Sequence, residues 1–207
     1  FQSPEEIQQY TSNGKVLQPD SYVGNKKYVD INGDGVLNDD DIVKLGNNEP
    51  KMNFGLGTSF RIKNVMFDID TYGVLGRKTY DQWIFRNLCD SKINTSYRYR
   101  DVWTSFNTSG WWPGIAPNPA ANSNKSGVDD FSLQNTNYWR FKNIKVTYLL
   151  PKKWMERSKF ASNASIYMDL QNTLLLTNYE GLDPEMEQNA SPLPIPFTVV
   201  VGVDITF

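Results

Sequence analysis

Phe197-Thr198-Val199-Val200-Val201-Gly202-Val203-Asp204-Ile205-Thr206-Phe207 is the stretch from which the fold can be read. Phe197, Val199, Val201, Val203, Ile205 and Phe207 fall on one parity; Thr198, Gly202, Asp204 and Thr206 fall on the other, with Val200 the exception. A repeat of two is the period of a β-strand, whose side chains alternate between faces. The same alternation recurs upstream. Ala164, Ile166, Met168 and Leu170 oppose Ser165, Tyr167, Asp169 and Gln171. From Tyr138 to Leu150 the lower half alternates through Ile144, Val146, Tyr148 and Leu150, but Trp139 and Phe141 sit on the opposite parity. That slip near Lys142-Asn143 predicts a bulge, or a strand leaving its apolar surroundings. Met52 to Ile62 and Val65 to Tyr72 form two further alternating runs. Lys63-Asn64 between them fits a two-residue hairpin turn, with Asn64 as the residue that tolerates positive φ.

The chain is thus predicted to be all-β. Its 207 residues carry a net charge of −2, so no global field draws it to nucleic acid. Mean hydropathy is −0.53, and no apolar run approaches the roughly 18 residues of a membrane helix. Neither point excludes a membrane barrel, whose strands need only every second residue apolar. The absence of histidine removes His-based triads and the usual zinc sites, and a single Cys89 allows no internal disulfide. Aromatics at 14% suit barrel girdles and sugar-binding sandwiches equally.

Connection lengths separate these two classes. Lys63-Asn64 and the stretch 151–163 are short, whereas 76–137 and 172–196 are long and rich in Asn, Ser, Gly and Pro. Short turns at one end and long loops at the other mark outer-membrane barrels, with the long loops outside. The expected layout is a loop over 1–49, a strand hairpin over 50–76, a long external loop over 77–137, a strand pair with a periplasmic turn over 138–171, an external loop over 172–195, and a last strand over 196–207.

Three segments carry a family resemblance. They are Lys27-Tyr28-Val29-Asp30-Ile31-Asn32-Gly33-Asp34-Gly35 with Leu45-Gly46-Asn47 and Pro50-Lys51; Tyr138-Trp139-Arg140-Phe141-Lys142-Asn143-Ile144 ending at Tyr148-Leu149-Leu150-Pro151; and Gln171-Asn172, Thr177-Asn178-Tyr179-Glu180-Gly181 and Asp183-Pro184-Glu185. In order and spacing they resemble the C-terminal part of SusC-like TonB-dependent outer-membrane transporters, whereas 77–134 matches poorly. The resemblance implies the last five antiparallel strands of a 22-stranded transmembrane barrel. It implies a chain that is a fragment, with the remaining barrel and an N-terminal plug lying elsewhere. It further implies a bacterial outer-membrane location, lipid around the barrel, a SusD-like surface lipoprotein, TonB acting through the absent N-terminal part, and an oligosaccharide or peptide substrate. Phe207, a terminal aromatic ending an amphipathic strand, resembles the barrel-insertion signal.

One motif points to a metal. Asp30, Asn32, Asp34, Val36 (through its carbonyl), Asn38 and Asp41 stand at positions 1, 3, 5, 7, 9 and 12 of an EF-hand-type loop, with Gly35 at the sharp turn. Oxygen ligands at this spacing suit a structural Ca²⁺. Asp41 in place of the commoner Glu, and the lack of flanking helices, leave an Asx-rich turn without metal as the alternative. Trp83, Trp103, Trp111 and Trp112 are candidate substrate contacts, against packing within the loop or a membrane girdle. Lys152, Lys153 and Trp154 read as a turn near lipid headgroups. Asp183-Pro184-Glu185 pairs two carboxylates but reads as a turn because of Pro184. No catalytic constellation appears, and enzymatic activity is not expected. The principal rival is a soluble extracellular calcium-dependent carbohydrate-binding β-sandwich. It would bury the Phe197–Phe207 face under a second sheet, where the barrel would give that face to lipid.

Overall fold

Each alternating run forms a strand. The computed structural model describes residues 1–80, 100–114, 129–158, 161–186 and 193–207. The chain divides into two compact units, 1–46 with 80–133 and 47–79 with 134–207.

In the first unit, helix α1 (Pro4–Gln9) starts where the Ser3 hydroxyl accepts from the Glu6 amide at 3.2 Å and Pro4 occupies the first turn. A small hairpin follows, β1 (Thr11–Ser12) and β2 (Lys15–Val16). Within 1–49, read from sequence as loop throughout, these are the regular elements, together with a 3-10 turn at Asp39–Asp41.

The second unit is built on a five-stranded antiparallel meander. It comprises β3 (Met52–Ile62), β4 (Val65–Leu75), β7 (Tyr138–Leu149), β8 (Asn163–Thr177) and β9 (Thr198–Thr206), in that order. Two short strands, β5 (Lys78–Tyr80) and β6 (Leu133–Asn135), pair separately, and helix α2 (Lys152–Ser158) links β7 to β8. Strand β8 runs on to Thr177, past the expected limit at Gln171, because an irregularity at Asn172 (φ 55°) carries it forward rather than ending it. The two-residue turn at Lys63-Asn64 is confirmed by pairing of Ile62 with Val65, but positive φ falls on Lys63 (53°), not on Asn64. Arg61 Nε donates to the Lys63 carbonyl at 2.7 Å and Leu149 N to the Asn64 carbonyl at 2.8 Å, which fixes the turn in this form.

Register places most of the apolar residues of the five strands on one face, with Met66, Leu149 and Val200 among those on the other. Phe60, Phe67, Val146, Met168 and Val201 lie directly opposite one another across the sheet. Ile62, Val65, Tyr148, Ile166 and Val203 form the row on one side, and Thr58, Ile69, Ile144, Leu170 and Val199 the row on the other. The reverse face carries Ser59, Asp68, Lys145 and Asp169 in one row, and Asp70, Asn143, Gln171 and Thr198 in the next.

The slip in β7 is a bulge. Asp70 pairs with Asn143 and Thr71 with Phe141, so Lys142 is an extra residue. An extra residue reverses the parity beyond it, and the sequence reverses its own pattern at the same point. Trp139 and Phe141 therefore stay on the apolar face, opposite Leu176 and Leu174. There Phe54 folds over Gly73 and meets Trp139 edge to face, with centroids 6.1 Å apart. A Cβ at Gly73 would stand 2.5 Å from both the Phe54 ring and the Tyr138 carbonyl oxygen. Because one of these is backbone, relief requires strand movement. We expect Gly73→Ala to cost about 1–3 kcal/mol, measured as a lower unfolding temperature of the full-length protein in detergent.

Candidate functional site

The polar face of the second unit holds a buried charge cluster at the end where β7 begins. Arg140 follows Trp139, so its side chain points to the polar face beside Tyr72 of the neighbouring strand. Its Nη2 donates to both Asp183 oxygens at 2.7 Å, and its Nε donates to Glu185 Oε1 at 2.6 Å. Both side chains of the Arg140–Asp183 pair are 3% exposed. Tyr72 donates its hydroxyl to the Glu185 carboxylate at 2.7 Å. The Glu185 amide donates to Asp183 Oδ1 at 3.0 Å, Arg77 Nη2 donates to the Pro184 carbonyl, and Arg77 Nε donates to Thr136 Oγ1 at 2.9 Å.

Sequence reading took Asp183-Pro184-Glu185 as a turn and gave Arg140 no role. The legible signal was an Arg on the polar parity of a strand, together with two carboxylates spaced by one residue that match its forked guanidinium. Both carboxylates are engaged by Arg140.

Further along the same face lies a hydrophilic track. Ser59 Oγ donates to Asp68 at 2.5 Å, and Gln171 Nε2 donates to Asp169 Oδ2 at 3.0 Å. Among the described residues Asp169 Oδ1 is buried without a hydrogen-bond partner, and the Lys145 ammonium lies 4.3 Å from the centre of the Tyr167 ring. The opposite face stays open. Ile62, Ile166, Met168, Val201 and Val203 are each between 42% and 68% exposed. A β-sandwich would cover these rows, and nothing in the described residues of this unit does so. Phe207 is also exposed, next to the end of β9.

The Asp-rich loop of the first unit closes on its own backbone. Asp30 accepts from the amides of Gly33 at 2.7 Å and Gly35 at 2.9 Å, Asn32 from Asp34 at 2.9 Å, and Asp34 from Val36 at 2.8 Å. Asp41 accepts from Ile31 at 2.8 Å and from Asn38 at 3.1 Å, and Asn38 caps the 3-10 turn through the Asp40 amide. Gly33 and Gly35 take φ of 74° and 87°, the left-handed conformations that the wrap needs. The donor chemistry suits a hard cation. Among the described residues, however, no three His, Cys, Asp or Glu side chains converge as a metal-holding group.

Of the candidate aromatics, Trp83 lies outside the described residues. Trp112 is buried and bridges to Val102, and Trp103 packs against Gly24 with its Nε1 donating to Gln2 at 2.7 Å. Trp111 is 67% exposed and tilts toward Phe131 at 5.7 Å. It is therefore the described candidate with a ring face open to stacking.

The Asn38 amide holds the Asp41 carboxyl below its ordinary value, against an opposing effect of desolvation and with lesser help from the Ile31 and Asn32 amides. The loop contacts of a depressed carboxyl are complete above the unfolded pKa of about 3.9. They are lost as pH falls through the lower folded value. Carboxyl-carbon NMR of the full-length protein should show Asp41 titrating below a free Asp, and Asp41→Asn should abolish that signal while loosening the 31–38 backbone.

No protein-family model matches the chain. Among curated proteins it is 27% identical to TonB-dependent receptor P26 of Formosa agariphila, over 92% of the chain and 20% of that protein. It is 23% identical to TonB-dependent receptor SusC of Bacteroides thetaiotaomicron, over 97% of the chain and 19% of that protein. The chain thus spans about a fifth of the length of these relatives. Among solved structures it superposes on the RagAB peptide importer in its closed-closed state with a TM-score of 0.68 at 23% identity, covering 86% of the chain and 20% of that one. The open-open state gives 0.63 at 24%, covering 77% and 17%. By sequence the chain is similar to SusC-like TonB-dependent receptors, which are outer-membrane proteins, and its sheet has the fold of their β-barrel wall.

Proposed function

We propose that the chain is the C-terminal part of a TonB-dependent importer, and that its sheet supplies the last five strands of a 22-stranded barrel. The importer takes up a bulky nutrient, an oligosaccharide or a peptide, together with a SusD-like surface lipoprotein. Energy enters through TonB acting on a plug that lies outside this chain. The observation that carries this reading is the open apolar face, continuous over five strands and backed by a charged polar face. A strand of 11 residues at about 3.4 Å per residue and a tilt near 40° spans roughly 28 Å, close to the apolar band of an outer-membrane barrel, about 25 Å. The strands at either end of the sheet order, β3 and β9, continue the wall by pairing with the rest of the barrel, since an open edge in lipid is not tolerated. The polar face then lines the lumen.

Charge on the lipid face tests this directly. Val201→Arg, in the central apolar row, should cost about 2–4 kcal/mol of membrane folding free energy. It should reduce the heat-modifiable folded form recovered from outer membranes. Thr198→Arg, on the polar face of the same strand, should leave that form intact. Equal tolerance of both would contradict a lipid-facing sheet. For transport, deletion of the gene should abolish growth on one complex nutrient while leaving growth on its monomers unchanged.

We also propose that the 30–41 loop takes a structural Ca²⁺ through Asp30, Asn32, Asp34, Asn38, Asp41 and the Val36 carbonyl. Its support is the oxygen spacing and the wrap that the Asx turns already form, in which each carboxylate oxygen of Asp30 and Asp34 accepts one hydrogen bond and keeps a second lone pair. Calorimetric titration of the chelator-treated full-length protein should show one Ca²⁺ site that Asp30→Asn weakens about tenfold or more. An absence of heat up to millimolar Ca²⁺ would leave the turns alone as the loop's support.

A further inference from the structure

We infer that Arg140 is a positioning residue that clamps the segment from Tyr179 to Met186 against the polar face, so that this segment is a fixed part of the lumen wall and not a lid. The inference rests on the barrel reading for the word lumen, but the clamp stands on its own geometry. Asp183, Pro184 and Glu185 are held together by one guanidinium fork, by the Tyr72 hydroxyl and by Arg77 on the Pro184 carbonyl. These bonds are charge-assisted and partly bidentate, the stronger kind, and they must break together for the segment to leave. Pro184 is fully buried and Tyr179 is 8% exposed, so departure would also expose apolar surface. The segment is anchored just before its start as well. Thr177 Oγ1 donates to the Asn137 carbonyl at 2.7 Å and accepts from the Tyr179 amide at 3.0 Å.

The charges make the clamp conditional on Arg140. Without the guanidinium, Asp183 stays docked only as a buried carboxylate lacking its counter-ion, which is strongly unfavourable. Undocking, which hydrates both acids, then becomes the easier course. Replacing the whole cluster by uncharged groups of similar size removes that pressure and lets the segment dock again. A residue that merely contributes stability would not show this rescue.

The experiment uses the full-length protein in isolated outer membranes, treated with proteinase K, with cleavage sites mapped by mass spectrometry. In the wild type, 179–186 should resist cleavage. In Arg140→Met the segment should be cut at least tenfold faster, while Arg140→Met/Asp183→Leu/Glu185→Gln should restore most of the protection. Arg140→Lys keeps the charge but loses the fork and should fall between. Should Arg140→Met fail to reach the membrane, Glu185→Gln, which weakens one arm, should still raise cleavage several-fold. Rapid cutting of the wild type, or equal protection in all variants, would overturn the clamp. Growth of the same strains on a tryptic peptide mixture or a maltooligosaccharide mixture separates the two readings. Intact protection with no dependence on either nutrient would count against import of these nutrients and leave the clamp standing.

Discussion

Five strands present their apolar residues at matching register positions, and most of the rest of the molecule follows from that alignment. A slip of one residue between any two strands would move a whole apolar set to the polar face. The rows through Phe60 and Val201, Ile62 and Val203, and Thr58 and Val199 show no such slip. The two-residue turn at Lys63-Asn64 sets the first hairpin, and the α2 connection returns the chain so that Tyr148 meets Ile166. With those fixed, polar residues have only the other face, which is why Asp68, Lys145 and Asp169, set on that face by the alternation of their own strands, line up there in one row.

Where alignment and alternation conflict, the backbone yields. The run from Tyr138 to Leu150 contains two apolar patterns in opposite phase, which a regular strand would send to opposite faces. The Lys142 bulge costs a local break in pairing and keeps Trp139 and Phe141 with the other apolar side chains. The same bulge aims Arg140 at the polar face. One extra residue therefore serves both surfaces, setting the aromatic edge on the apolar face and the charge cluster on the polar face.

The charge cluster and the Asp-rich loop show two ways of ordering a connection. In the loop, short Asx side chains bond to amides a few residues away, so most of its order is local. In the cluster, Arg140 reaches carboxylates 43 and 45 positions along the chain. Local bonding is written in the spacing of Asp30, Asn32 and Asp34. The long-range ion pair becomes visible only when β8 has brought the returning chain back over β7.

The sequence by itself determined the five long strands, the hairpin turn, the place of the bulge and the spacing of the Asp-rich loop, because each is written in residues close in the chain; the short pairs β1–β2 and β5–β6, in stretches read as loop, were not legible. It did not determine that Asp183 and Glu185 are bound by Arg140, that Trp112 is buried while Trp111 is open, or that positive φ falls on Lys63. Those outcomes depend on which distant segment arrives alongside: the returning chain over β7, Val102 beside Trp112, and the Arg61 and Leu149 hydrogen bonds around the turn. Periodicity states which face a side chain takes. Only tertiary packing decides what that face meets.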